Sequence, residues 1–225
     1  IILFGFYTTS FNIMRQMAAA SILFFAVLYL HRKKYFKFFL LAFVASGVHT
    51  SVLFAIPILF ILSVIKATLK NILVIFICIF GIYLNYDIIS NYVFSIWPQY
   101  SYYVNYRGTN IGLYLQLIVW SCLLTLYLIN KNKLIGLDKK NEFYLLCFVT
   151  AVGLMLLGTQ NVILDRVAVY FKLYIAYLIP SYLCLFKAKL KALMVYSITI
   201  VLLIWFIFYI HHYDGVIPYK SVIFL

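Results

Sequence analysis

Long apolar runs alternate with short basic breaks along the whole chain. Apolar residues dominate stretches 13–30, 38–65, 72–86, 111–129, 143–157, 167–186 and 192–210, and a shorter apolar patch covers 216–225. At about 1.5 Å per residue, helices of these lengths reach most or all of the way across a hydrocarbon layer roughly 30 Å thick. The strict alternation of a transmembrane β-strand is missing; residues 193–210, for instance, do not alternate. The pattern therefore predicts an all-α, polytopic helical membrane protein. Residues 1–225 are expected to form a single transmembrane domain.

The breaks carry the topology. Basic residues gather at Arg32, Lys33, Lys34 and Lys37, then at Lys66 and Lys70. A third cluster is Lys131, Lys133, Lys139 and Lys140, and a fourth is Lys187, Lys189 and Lys191. Short loops rich in lysine and arginine stay on the cytoplasmic side, so an even number of crossings must join each neighbouring pair of clusters. Two runs separate Lys70 from Lys131, and two separate Lys140 from Lys187. Only the stretch 38–65 lies between Lys37 and Lys66. One crossing there would put one cluster outside, so this stretch is expected to be a hairpin of two short helices. Its break is expected at Ala45-Ser46-Gly47-Val48-His49-Thr50-Ser51, with the apex near His49. The competing reading is one long tilted helix kinked near Pro57.

Composition agrees with the pattern: 67% of residues are hydrophobic, 10% are charged, and the mean hydropathy is +1.06. Soluble domains are nearer half apolar and a quarter charged. The net charge of +13 sits in the breaks, where membrane orientation explains it without a nucleic-acid partner. The chain starts without Met in mid-apolar sequence and lacks a signal-peptide pattern, so it is expected to be the C-terminal portion of a longer polytopic protein. Cys78, Cys122, Cys147 and Cys184 lie in apolar runs with no metal-ligand or CxxC spacing and are expected to be buried, inert thiols.

With sidedness fixed, the rare residues sort themselves. Arg15 and Gln16 fall at the outer end of the first span, and His49 at the outward apex of the hairpin. Arg107 falls in an outer loop, 87–110, and Asp165 and Arg166 in an outer turn, 158–166. The segment from His211, with His212, Asp214 and Lys220, is also expected outside. Three of the four arginines thus face away from the basic side, although lysine would suffice for topology. Arginine grips phosphate through a planar fork and keeps its charge. An outward arginine group beside an apolar bundle suggests a site for an anionic, lipid-linked substrate. The aromatic strip Trp97-Pro98-Gln99-Tyr100-Ser101-Tyr102-Tyr103 with Tyr106 suits either sugar stacking or an interfacial belt, and the belt is the better reading. Lys172, inside a span about two helical turns beyond Arg166, is expected to snorkel or to line the cavity. No paired acids on the outer face suggest a metal or other cofactor, so arginines would neutralise any phosphate.

At these residues the chain resembles the EpsG family of bacterial exopolysaccharide proteins. The likeness rests on Met14-Arg15-Gln16 before Ala18-Ala19-Ala20, on the run from Leu41 to Ser51 with His49-Thr50-Ser51, and on Asp165-Arg166-Val167-Ala168-Val169-Tyr170-Phe171. The ending Gly215-Val216-Ile217-Pro218-Tyr219 adds to it. Gly47-Val48 departs from the bulkier apolar-aromatic pair common in the family. The family is similar to Wzy-type polysaccharide polymerases and O-antigen ligases. The resemblance implies a metal-independent glycosyltransferase in the bacterial cytoplasmic membrane. Its substrate would be an undecaprenyl-pyrophosphate-linked oligosaccharide at the outer face, and its partners other polysaccharide-export proteins. On that reading Arg15 and Arg166 stabilise the leaving pyrophosphate, and Arg107 helps. His49 is the base or orients the acceptor, with Asp165 the alternative base. Gln16, Ser51, Tyr170 and Lys172 are expected to contact substrate. A flippase for the same lipid-linked sugar is the alternative, and a membrane acyltransferase using His49 is a third reading.

Overall fold

The computed structural model describes residues 13–96 and 111–212. Eleven helices follow one another in these residues, without strands. They are α1 (Met14–His31), α2 (Tyr35–Val48), α3 (Val52–Val64), α4 (Leu69–Leu84), α5 (Tyr86–Ile96) and α6 (Ile111–Ile129). Next come α7 (Lys131–Leu137), α8 (Lys140–Gly158), α9 (Val162–Lys172), α10 (Ile175–Leu183) and α11 (Ala188–His212). Four described helices are long and apolar enough to span: Met14–His31, Gly112–Ile129, Lys140–Gly158 and Ala188–Ile207. A fifth candidate is α4 together with the start of α5, bent by 79° at their junction. The protein is an all-α, multi-pass membrane protein.

The stretch 38–65 is the hairpin that lysine parity demands. Helix α2 stops at Val48, His49 is extended, and α3 starts afresh at Val52. Tyr35 and Phe39 of α2 both pack on Phe60 of α3, with ring centroids 5.6 and 5.5 Å apart. In one continuous helix Phe39 and Phe60 would be about 30 Å apart. The break is at His49-Thr50-Ser51, and Pro57 lies within α3. Each arm is only about 20 Å long, too short to cross, so the chain enters and returns on the same side.

Small residues let the arms approach. Ala19, Ala20, Leu23, Ala26, Val27 and Leu30 form the buried stripe of α1. Phe38, Ala42 and Ala45 form that of α2, and Val52, Ala55, Leu59 and Leu62 that of α3. These are helical repeats of three and four with alanine at the crossings, which is how helices associate where lipid offers no hydrophobic drive. The opposite faces, with Phe36, Phe43 and Leu53, are exposed, as a lipid-facing surface requires. Helix α8 is the axis of the bundle: 83% of its span is buried, against none of the span in α11.

All four basic clusters lie at one end. Lys131 Nζ donates to Ala67 O at 3.2 Å, and Ala67 N donates to Glu142 Oε1 at 2.8 Å. His31, beside the first cluster, packs edge-on against Phe143 and Tyr144. Ser181, just before the fourth, donates to Asn141 Oδ1 at 3.0 Å.

Four expectations need correction. The run 167–186 is two short helices, α9 and α10, with a turn at Leu173 and Tyr174. No Gly or Pro marks that turn. Tyr174 is buried there, with ring centroids 5.2 Å from Phe24 and 6.0 Å from Tyr144, and tertiary packing sets the break. Asp165 and Arg166 lie in the first turns of α9, capped by Asn161, whose Oδ1 accepts from Ile163 N. The outer turn is therefore shorter than expected. Helix α5 occupies the start of the expected outer loop, and α7 occupies an inner one. Of the cysteines only Cys147 is buried; Cys78, Cys122 and Cys184 are exposed on the bundle surface.

Candidate functional site

Three helices begin at the end opposite the lysines. α1, α3 and α9 all run from that end toward the basic end, so their N-termini point the same way. Each carries a partial positive charge of about half a unit from unpaired N–H groups, which favours an anion there. No acidic side chain occupies the first turn of α1 or α3.

Two long-range hydrogen bonds hold these N-termini together. Gln16 Nε2 donates to the backbone oxygen of Arg166 at 2.6 Å, joining α1 to α9. The hydroxyls of Ser51 and Tyr170 lie 2.8 Å apart, joining the hairpin tip to α9. Tyr170 is one helical turn after Arg166, so the hairpin tip meets α9 within about a turn of that arginine. The first bond contributes about 1 kcal/mol, and its loss would leave a buried amide unsatisfied at greater cost.

Arg15, on α1, and Arg166, on α9, are both exposed. His49, at the end of α2, is half-buried. Partial burial first, and then the charges of Arg15 and Arg166, push its pKa below the usual 6.5. Its imidazole is therefore neutral at pH 7, with a nitrogen free to accept a proton. Two guanidiniums flanking a neutral imidazole can hold a multiply charged anion beside a group that accepts a proton.

The structure brings together Arg15 and Gln16 of α1, His49 and Ser51 of the turn between α2 and α3, and Arg166 and Tyr170 of α9. Gln16 and Tyr170, at 4% and 2% exposure, stand behind the wall of the site rather than on it. Lys172, also 4% exposed, is paired with Asp165 Oδ1 at 2.7 Å rather than open to a substrate. The part of the expected outer loop that holds Arg107 and the aromatic strip, 97–110, lies outside the described residues, as do Asp214 and Lys220.

Two participants escaped the sequence reading. Gln116 Oε1 on α6 accepts from Lys172 Nζ at 3.4 Å, and the face of Trp120 lies 5.9 Å from the same nitrogen. A lone Gln within an apolar span was a visible signal, because a polar side chain at membrane depth needs a partner. The Asp165–Lys172 spacing of seven, which places both on one helical face, was another. Among the described residues no three His, Cys, Asp or Glu side chains gather in a possible metal site.

The signature of the EpsG family matches residues 1–221, nearly the full length of the chain, and includes every residue of this cluster. The chain belongs to the EpsG family. Membership of the EpsG family places it among membrane proteins of the polysaccharide-polymerase type. No curated protein and no solved structure matches the chain.

Proposed function

We propose that this EpsG protein is a polysaccharide polymerase that joins undecaprenyl-pyrophosphate-linked oligosaccharide units at the outer face of the bacterial cytoplasmic membrane. The observation that carries this reading is the convergence of Arg15 and Arg166 on His49 at the end away from the basic loops. By the positive-inside rule that end is the outer one. An acceptor sugar hydroxyl attacks the anomeric carbon of the lipid-linked donor, forming the new glycosidic C–O bond. His49 takes the hydroxyl proton. The bond from the anomeric carbon to the phosphate oxygen breaks, and its electron pair leaves with undecaprenyl pyrophosphate. Arg15 and Arg166 meet the charge that develops there, supported by the N-termini of α1, α3 and α9. Arg107 adds a weaker grip. Gln16, Ser51 and Tyr170 hold these groups in place, and partners are other polysaccharide-export proteins.

The test is single replacement of Arg15, Arg166 or His49 by Ala, with insertion confirmed. Removal of one preorganised charge contact is expected to slow polymerisation about 100- to 1,000-fold. Long glycan should disappear while single lipid-linked units reach the outer leaflet. Units retained on the inner leaflet would reject the polymerase and favour a flippase.

A further inference from the structure

Asp165 poses an electrostatic problem. It lies immediately before Arg166 in the first turn of α9, where its carboxylate would offset the positive field of the site. Lys172, in the last turn of the same helix, reaches back along one face to meet it. Side chains of a helix tilt toward its N-terminus, so an ammonium seven residues later can close the distance of about 10 Å. The resulting ion pair is 2.7 Å long, and the Lys172 side chain is only 5% exposed against 28% for Asp165. Gln116 and the face of Trp120 occupy the rest of the ammonium shell. This is a fully partnered buried cation with no surface left for a substrate. Gly158 closes the other side: a Cβ there would fall 2.7 Å from Asp165 Cβ and 3.1 Å from Asp165 N.

From this geometry we infer that Lys172 is a positioning residue that neutralises Asp165, so that this carboxylate does not offset the charges of Arg15 and Arg166 where an anionic pyrophosphate binds. Gln116 and Trp120 hold the Lys172 ammonium for this purpose. Asp165 is then a partner of Lys172 and not the proton acceptor of the reaction. The inference rests on the pyrophosphate reading of the site.

Binding of undecaprenyl pyrophosphate to the full chain in lipid nanodiscs tests it, together with polymerisation by the same variants. Lys172→Arg should bind as the parent does. Lys172→Gln leaves the carboxylate unpaired and should weaken binding about tenfold or more, because a unit charge in a poorly solvated site repels an anion strongly. Asp165→Asn together with Lys172→Gln removes both charges and should return affinity to within about threefold of the parent. Asp165→Asn alone should bind at least as tightly and still turn over. If Lys172→Gln does not insert, the last two variants still decide. Equal binding by Lys172→Gln, or a double variant no better than the single one, overturns the inference and leaves the pyrophosphate site standing. Weaker binding by Asp165→Asn, or its loss of turnover with binding intact, overturns it as well. Failure of the parent to bind the probe removes the pyrophosphate reading itself.

Discussion

In the proposed reaction, the chemistry of the site turns on the protonation of one histidine. Burial and two neighbouring guanidiniums disfavour the imidazolium of His49, so its pKa lies below 6.5. A base is active only when deprotonated, so polymerisation should hold through neutral pH and fall only as acidity carries His49 through that lowered value. Arg15→Gln removes one of the charges that lower it, and the acid limb of the pH–rate profile should then move up toward 6.5. An acid limb that stays in place in that variant would show that His49 is not the titrating group. Residue-scale reading of the sequence singled out Arg15, His49 and Arg166 because charged and titratable side chains are rare in apolar runs and stand out, and the structure places the three near one another. It mistook the stations of Gln16, Tyr170 and Lys172, since a linear pattern shows that a polar group needs a partner but not which one. The partners lie 150, 119 and 7 residues away respectively.

At the scale of elements, the pattern of apolar runs resolved most helices within a few residues, and lysine parity found the hairpin. Parity succeeded because charge sidedness constrains the path of the chain without reference to packing. The division of 167–186 into α9 and α10 was invisible because its cause, Tyr174 seated among aromatic rings of α1 and α8, is tertiary. Helix α5, set at 79° to α4, and the short α7 hid in segments whose polarity read as loop. The α8–α9 connection gives a prediction of its own. Gly158 faces the backbone of Asp165, which cannot move aside as a side-chain tip could. Gly158→Ala should therefore displace the first turn of α9 and with it Arg166. Polymerisation is expected to fall at least tenfold, since a small misplacement of a charge-stabilising group costs that much or more. Membrane insertion should persist, because the apolar content of α8 is unchanged. Normal polymerisation by Gly158→Ala would show that the turn has slack.

At the scale of the molecule, the distribution of charge orients everything else. Basic connections from four parts of the sequence meet at one end, and Arg15, Arg166 and His49 meet toward the other. The hairpin carries His49 part of the way across the bilayer from the basic side. Cysteine labelling measures this directly. Thr50→Cys, in a background without the exposed Cys78, Cys122 and Cys184, should react with an impermeant thiol reagent added outside. Lys34→Cys and Lys189→Cys should react only after the membrane is opened. Labelling of Thr50→Cys solely from the cytoplasmic side would remove His49 from the proposed site.

The bond between Ser51 and Tyr170 carries a consequence for how the protein is made. Its two hydroxyls are separated by 119 residues of chain. At a synthesis rate of about 5–20 residues per second, the hairpin enters the bilayer on the order of ten seconds before its partner exists. During that interval the polar tip His49-Thr50-Ser51 has no α9 to lean on and must stay near water or the membrane surface. The hairpin therefore takes its final depth only after α9 has followed α8 into the bilayer. The cluster of Arg15, His49 and Arg166 is thus completed late in biogenesis, and a nascent chain stopped before α9 holds Arg15 and His49 without Arg166.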